Sequence, residues 1–261
     1  MTPNPCIECN RHVKFDRLLR RADQLGFDAV ATGHHARIGR RPGGAFTLER
    51  GADAAKDQSY VVHMLDQEAL SRTIFPVGHI DKSEVRRLAQ QMGLRTASKP
   101  DSQDVCFITS TGGRETFLGD RIPFRRGQVV DTAGEQLGEV DAVEMITIGQ
   151  RRGIGLPGGG PKRYVVDVDV PTATVVVGDD DDLLTDELTV ERPTWIDQPA
   201  EGDVLVQCSA HGATQPATLS FDGDAIMVAW DTPQRRIAPG QSVVFYDLAD
   251  RCVLGGGTAV R

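Results

Sequence analysis

Lys14-Phe-Asp-Arg-Leu-Leu-Arg-Arg-Ala-Asp-Gln-Leu-Gly-Phe27, running on into Asp28-Ala-Val-Ala-Thr-Gly33, decides how the first part of the chain folds. Phe15, Leu18, Leu19, Ala22 and Leu25 recur at helical spacing, and the apolar centre of the second stretch predicts a short buried strand. Helix followed by strand is an α/β unit. A second helix is expected from about Asp81 to Met92. Asp81 and Glu84 have the spacing of a capping box, Val85, Leu88, Ala89 and Met92 share a face, and Gly93 suits the end. From Gly127 onward the pattern changes. Tyr164-Val-Val-Asp-Val-Asp169, Thr174-Val-Val-Val177, Val204-Leu-Val206, Ala225-Ile-Met-Val-Ala229 and Ser242-Val-Val-Phe-Tyr246 alternate with Gly, Pro and Asp turns, which predicts strands. The acidic run Asp179–Asp182 and the stretch Pro193–Pro199 read as connections, with a division near residue 190.

The chain has 261 residues, enough for two or three modest domains, with 39% hydrophobic and 25% charged residues. No apolar stretch approaches the roughly 20 residues of a membrane helix. Residues 1–15 lack a basic region followed by an apolar core, so a cytoplasmic, reducing address is expected, with no membrane partner. Five cysteines are an odd number at low density, which argues against a disulfide scaffold. The net charge of −8 argues against a protein that coats nucleic acid non-specifically. Arg125-Arg126, Arg151-Arg152, Lys162-Arg163 and Arg235-Arg236 still supply a local basic surface if they converge in space. Each doublet alone reads as solvated surface.

Cys6 and Cys9 form a Cys-x-x-Cys with three readings: half a zinc site, a thioredoxin-like redox pair, or incidental spacing around one working thiol. Zinc needs two further ligands, whereas Cys106, Cys208 and Cys252 are scattered singly, so no metal is expected. A redox pair should follow a strand and open a helix, while Pro3-Asn-Pro5 reads as a loop. Cys106 follows the polar stretch Lys99–Asp104 and is flanked by apolar Val105 and Phe107, so by itself it reads as a buried small hydrophobe. Cys208 and Cys252, in β-patterned segments, read as inert. Gly153-Ile-Gly-Leu-Pro-Gly158 fits a dinucleotide fingerprint but runs into Gly-Gly-Pro instead of a helix, so it reads as a tight loop beside Arg151 and Arg152. Ala31-Thr-Gly-His-His-Ala-Arg37 puts a glycine at the carboxyl end of a strand, where α/β sheets admit ligands. Lys56-Asp-Gln-Ser-Tyr60 reads either as a polar helix entry or as a site for phosphates and base edges.

Taken in order, Thr2-Pro-Asn-Pro-Cys-Ile-Glu-Cys-Asn-Arg11, Ala31–Arg37, Lys56–Tyr60, Asp101-Ser-Gln-Asp-Val-Cys-Phe107, Thr147-Ile-Gly-Gln-Arg-Arg-Gly153 and Pro239-Gly-Gln-Ser-Val-Val-Phe-Tyr246 resemble the bacterial tRNA-specific 2-thiouridylases, the MnmA family. The resemblance implies an α/β plus β protein. Its parts are a partial nucleotide-hydrolase-like (Rossmann-like) α/β domain over 1–112, a mainly β central domain over 113–190 and a carboxy-terminal β-barrel over 191–261. It implies ATP, with Mg, as cofactor, and tRNA and a persulfide sulfur donor protein as partners. Cys9 matches the nucleophile, Cys106 the persulfide carrier and Gly33 an ATP contact. Asn4, Pro5 and Cys6 match the segment that meets the target base, and His34, Lys56, Asp57, Gln58 and Gln241 match tRNA contacts. The implied reaction adenylates the C2 oxygen of a wobble uridine and replaces it by sulfur, leaving a Cys9–Cys106 disulfide.

Two departures bear on that expectation. Family members begin with a further portion bearing a Ser-Gly-Gly-x-Asp-Ser pyrophosphate loop that this sequence lacks, so a truncated and impaired member is expected. Gln207-Cys-Ser-Ala-His-Gly212 offers Ser209 and Ala210 where many relatives place a basic-aromatic pair against tRNA. A non-catalytic tRNA-binding remnant is the alternative in a different class, and a zinc or redox module is a third.

Overall fold

The computed structural model describes residues 4–98, 113–158 and 160–260. Cys106 and the rest of Asp101–Phe107 lie outside the described residues. The first helix begins at Pro5 instead of Lys14: α1 (Pro5–Glu8), a π-helical segment (Cys9–Asp16) and α2 (Arg17–Leu25) follow without a gap. Asn4 is the cap, its Oδ1 accepting from the backbone N–H of Cys6 and Ile7 at 3.1 and 3.4 Å. Pro5 fills the first helical position, where its missing N–H costs nothing. Of the stretch read as a loop, Asn4 and Pro5 therefore form a helix start while Pro3 lies outside the described residues, and Gly26, at φ 73°, closes the far end.

Strand β1 (Val30–Ala31) is shorter and more open than expected. It pairs in parallel with a later two-residue strand, Thr73–Ile74, and among the described residues it has no other neighbour, so Ala31 and Ile74 are exposed. A hairpin that the strand pattern did not announce follows, β2 (Ala36–Arg40) and β3 (Phe46–Arg50). After the short helix α3 (Gln67–Ser71) and β4 (Thr73–Ile74) comes α4 (Lys82–Gln91). The capping box at α4 does not form. Asp53 accepts from the Lys82 N–H at 3.1 Å, and Glu84 pairs with Arg87 instead. Val85, Leu88 and Ala89 are only half-buried and Met92 is exposed.

Helix α5 (Gly113–Gly119) leads to a four-stranded sheet of β5 (Gly127–Asp131), β6 (Gln136–Val140), β7 (Tyr164–Asp169) and β8 (Thr174–Gly178), ordered β6-β5-β8-β7. It has its own core of Val129, Val143, Val165, Val175 and Val177. The remaining strands, β9 (Leu184–Trp195), β10 (Gly202–Gln207), β11 (Gln215–Asp222), β12 (Ala225–Arg235), β13 (Ser242–Tyr246) and β14 (Cys252–Val260), close into a six-stranded antiparallel barrel through the β13–β14 pairing. Strand β9 runs across position 190. Pro193, read as part of a connection, sits in a β-bulge with Arg192 at φ 51°, where a missing ladder donor is tolerated.

Every residue of β13 is buried, and side-chain alternation explains how. Val243 and Phe245 point into the barrel core with Val204, Val206, Ile226 and Val228. Val244 and Tyr246 join a second core with Ile7, Phe15, Leu48, Tyr60 and Phe75. One strand thus fastens the α/β portion to the barrel, and β3, pairing with β14, adds backbone bonds to the same junction. Among the described residues no helix is long and apolar enough to cross a membrane.

Candidate functional site

Cys9 donates its backbone N–H to the carbonyls of Pro5 and Cys6, so the two cysteines lie one turn apart at the start of the helix. Cys6 is exposed and Cys9 half-buried. The next residue, Asn10, is 3% exposed. Its Nδ2 donates to the Val61 carbonyl at 2.9 Å, which leaves Oδ1 to accept from His34 Nε2 at 3.2 Å. That assignment fixes the tautomer: His34 carries its proton on Nε2, and Nδ1 accepts from Thr32 Oγ1 at 2.8 Å. The ring stacks on Phe15 and meets Phe75 edge-on, both at 5.7 Å between centroids. Burial first, then the charge of Lys14 and the neighbouring His35, bring the His34 pKa down to about 4, so the ring is neutral at physiological pH.

Segment Asp57–Val62 joins this cluster to the barrel. Gln58 Oε1 accepts from the His35 N–H at 2.9 Å. The Asp57 carboxylate accepts from the N–H groups of Gly51 and Ser59, from Ser59 Oγ and from Arg50 Nη1, at 2.7–3.2 Å. Arg50 also pairs with Asp250 at 2.7 Å, donates to Gln207 and lies 3.9 Å over the Tyr246 ring. Because Ser59 Oγ donates to Asp57, the Tyr246 hydroxyl donates to Ser59 Oγ at 3.0 Å. Tyr60 OH reaches the carbonyl of Ser242, the residue after Gln241, at 2.8 Å.

The expected site residues are thus of two kinds. Asn4, His34, Asp57 and Gln58 are engaged in holding the fold, with both ring nitrogens of His34 and four hydrogen bonds of Asp57 committed within the chain. Cys6 and Lys56 are exposed, Gly33 is exposed just after β1, and a Cβ added at Gly33 meets nothing within 4 Å. Packing among the described residues does not require a glycine there. Pro5 and Cys9 share the helix start, and Gln241 adjoins the seam. Sequence reasoning missed Asn10 and Arg50. Asn10 stood inside a quoted motif, but Arg50 gave no signal because Asp250 is 200 positions away.

Burial pushes the Cys208 thiol up to about 12 and, with Asp247 and Glu49 nearby, raises that of Cys252, in line with the inert reading. Among the described residues no group of three or more His, Cys, Asp or Glu side chains is arranged to hold a metal. Of the basic doublets, Arg125 pairs with Glu144, Arg126 with Asp141 and Arg235 with Asp180. Arg151-Arg152 and Lys162-Arg163 converge on one loop.

Three family models match successive parts of the chain: a tRNA methyl transferase HUP domain over residues 1–110, a tRNA methyl transferase PRC-barrel domain over 115–179, and an aminomethyltransferase beta-barrel domain over 185–259. Among similar proteins, the tRNA-specific 2-thiouridylase MnmA of Acidothermus cellulolyticus is 47% identical over 266 residues, covering 100% of this chain and 72% of that protein. The Mycolicibacterium gilvum protein of the same name is 46% identical, covering 94% of this chain and 69% of its own. That of Symbiobacterium thermophilum is 46% identical, covering 100% and 68%.

Proposed function

The chain belongs to the tRNA-specific 2-thiouridylase family, and from that premise we propose that it replaces the C2 oxygen of a wobble uridine in tRNA by sulfur. ATP, with Mg, is the co-substrate, and a sulfur donor protein is the partner. The observation that carries the reading is Cys9 on a clamped helix: the residue beside it, Asn10, is tied to both His34 and Val61. A thiol that must strike one sulfur atom gains from such a frame.

ATP supplies adenylation of the C2 oxygen, which turns it into a leaving group; exposed Gly33 offers it room on this chain. In the proposed sequence Cys106 receives a sulfur atom as a persulfide, and the terminal sulfur attacks C2. The Cys9 thiolate then attacks Cys106 Sγ. The persulfide S–S bond breaks with its electron pair staying on the transferred sulfur, a Cys9–Cys106 disulfide forms, and the former C2 oxygen leaves with AMP. A thiol reductant restores both cysteines. Among the tRNA contacts, exposed Lys56 meets RNA directly, while His34, Asp57 and Gln58 act by holding their segments in place; Gln241 lies next to Ser242 at the same junction. The pair of cysteines favours sulfur transfer over the methyl transfer in the family models' descriptions.

The test is thiolation of tRNA with ATP and a sulfur donor. Cys106→Ser should abolish product while tRNA binding persists, since a hydroxyl carries no persulfide, and Cys208→Ser should retain activity. Equal loss in both variants overturns the assignment. Binding by the unsubstituted chain with no product at all favours a non-catalytic tRNA-binding protein.

A further inference from the structure

Arg151, Arg152, Lys162 and Arg163 line one open cavity of about 650 Å³ against the central sheet, and among the described residues no carboxylate lines it. None of the four has an ion-pair partner among the described residues, unlike Arg125, Arg126 and Arg235. In a chain of net charge −8 that is an unusual concentration of free cations.

The loop that carries them is held firmly. Gly149 N donates to the Val165 carbonyl at 2.8 Å, and Val165 N donates back to the Gln150 carbonyl at 2.9 Å, closing the neck. The Gln150 side chain accepts from the Thr147 N–H at 3.1 Å and donates to the Arg152 carbonyl at 2.9 Å. Ile154 is buried in the central core, with Leu156 packed against it. Gly155, at φ 69°, lies so close to the Glu139 carbonyl that any side chain would collide. The apolar half of the loop anchors it and the basic half is left at the surface. A firm frame lowers the ordering cost of a contact made by the four side chains.

We infer that this loop is a docking surface for the sugar-phosphate backbone of RNA, which deepens the reading of tRNA as substrate and rests on it. Among the described residues that line the cavity only Ile154 is buried, so its polar lining is four cationic side chains at or near the surface, which suits a chain of repeated charges better than a single small anion. The fingerprint-like Gly153–Gly158 run then serves to bring backbone and arginines together, with no nucleotide in it.

Binding of fluorescently labelled tRNA to the whole chain, measured across a range of KCl concentrations, tests the inference in four proteins: unsubstituted, Arg151→Gln/Arg152→Gln, Lys162→Gln/Arg163→Gln, and all four together. Each lost phosphate contact should lower the slope of log K against log salt by about 0.7–0.9. The fourfold variant should bind roughly tenfold or more weakly at low salt, to a similar extent for unrelated tRNAs. Arg126→Gln, which removes an arginine already paired with Asp141, should leave both affinity and slope near those of the unsubstituted chain. A fourfold variant with unchanged affinity and slope overturns the surface alone. Inorganic phosphate that displaces tRNA at constant ionic strength from the unsubstituted chain only would replace it with a small-anion pocket. Failure of the unsubstituted chain to bind tRNA overturns the underlying reading and the surface with it.

Discussion

At the seam between the α/β portion and the barrel, the charged and polar groups close on one another: Arg50 on Asp57 and Asp250, Asp57 on Ser59 and Gly51, Asn10 on His34 and Val61. On the loop over the central sheet, three exposed cations and the half-buried Arg163 have no ion-pair partner among the described residues. Both regions are polar, and both carry motif residues. Buried polar groups must be satisfied within the chain because their desolvation is otherwise uncompensated, so the seam spends its polar atoms on shape. Exposed cations have no such debt and remain available to a partner. A motif residue is therefore not automatically a contact residue.

The largest effect should come from opening the seam. Asp57→Ala removes four hydrogen bonds and takes from Arg50, whose side chain is 19% exposed, one of its two carboxylate partners, leaving it Asp250 and the weaker contacts to Gln207 and Tyr246. A loss of about 3–5 kcal/mol in urea unfolding is expected, as for other broken buried pairs. Asp57→Asn, which keeps an acceptor for Gly51 and Ser59, should lose less. A loss below about 1 kcal/mol in the alanine variant would show that the junction is not held by this network.

Acid should open the same region. His34 and His63 are both buried, with pKa values lowered from 6.5 to about 4, in each case chiefly by burial. The folded state binds these protons less readily than the unfolded state. Their contribution to stability is therefore complete above about pH 6.5 and is lost as pH falls from there through 4, on the order of 2–3 kcal/mol for each ring. Urea midpoints at pH 7.0, 5.5 and 4.5 should fall in that order. The double variant His34→Gln/His63→Gln should show a shallower fall, and an equal slope in both proteins would assign acid lability elsewhere.

Asn10→Ala comes next, with an expected cost of about 1–3 kcal/mol from unsatisfied partners. Its sharper readout is local. Without the Asn10 acceptor the His34 tautomer is no longer fixed, so the ring's NMR titration should shift, and alkylation of Cys9 should change rate while that of Cys208 does not. Unaltered Cys9 chemistry would detach the clamp from the nucleophile.

These particulars also show what the sequence made legible. The bounds of β13 and β7 could be read directly, because side-chain alternation and turn residues are local. The start of α1 carried an equally local signal, an Asn cap before Pro at the first position, yet it reads as a loop when only apolar spacing is weighed. The β2–β3 hairpin was similarly available in Arg41-Pro-Gly-Gly44. Two features were beyond local reading. The burial of His34 depends on Phe15 and Phe75 arriving from different elements, and the Arg50–Asp250 pair depends on β3 docking beside β14. Cys9 and Gly33 stand in motifs that can be read locally, whereas the ties of Asn10, next to Cys9, to His34 and Val61 are set by tertiary packing.

The smallest effect on stability, and the clearest separation of shape from contact, is expected at Gly33. The backbone there does not occupy the left-handed region, and an added Cβ meets no atom within 4 Å. Gly33→Ala should therefore leave the urea midpoint unchanged or raise it slightly, by up to about 0.4–1 kcal/mol, through reduced freedom of the unfolded chain. The same methyl group occupies the space at the carboxyl end of β1 into which a nucleotide would press. ATP affinity, measured by calorimetry, should fall severalfold while tRNA affinity holds. An alanine variant that binds ATP as the unsubstituted chain does would move the nucleotide away from β1, and the open space above Gly33 would then have no ligand assigned to it.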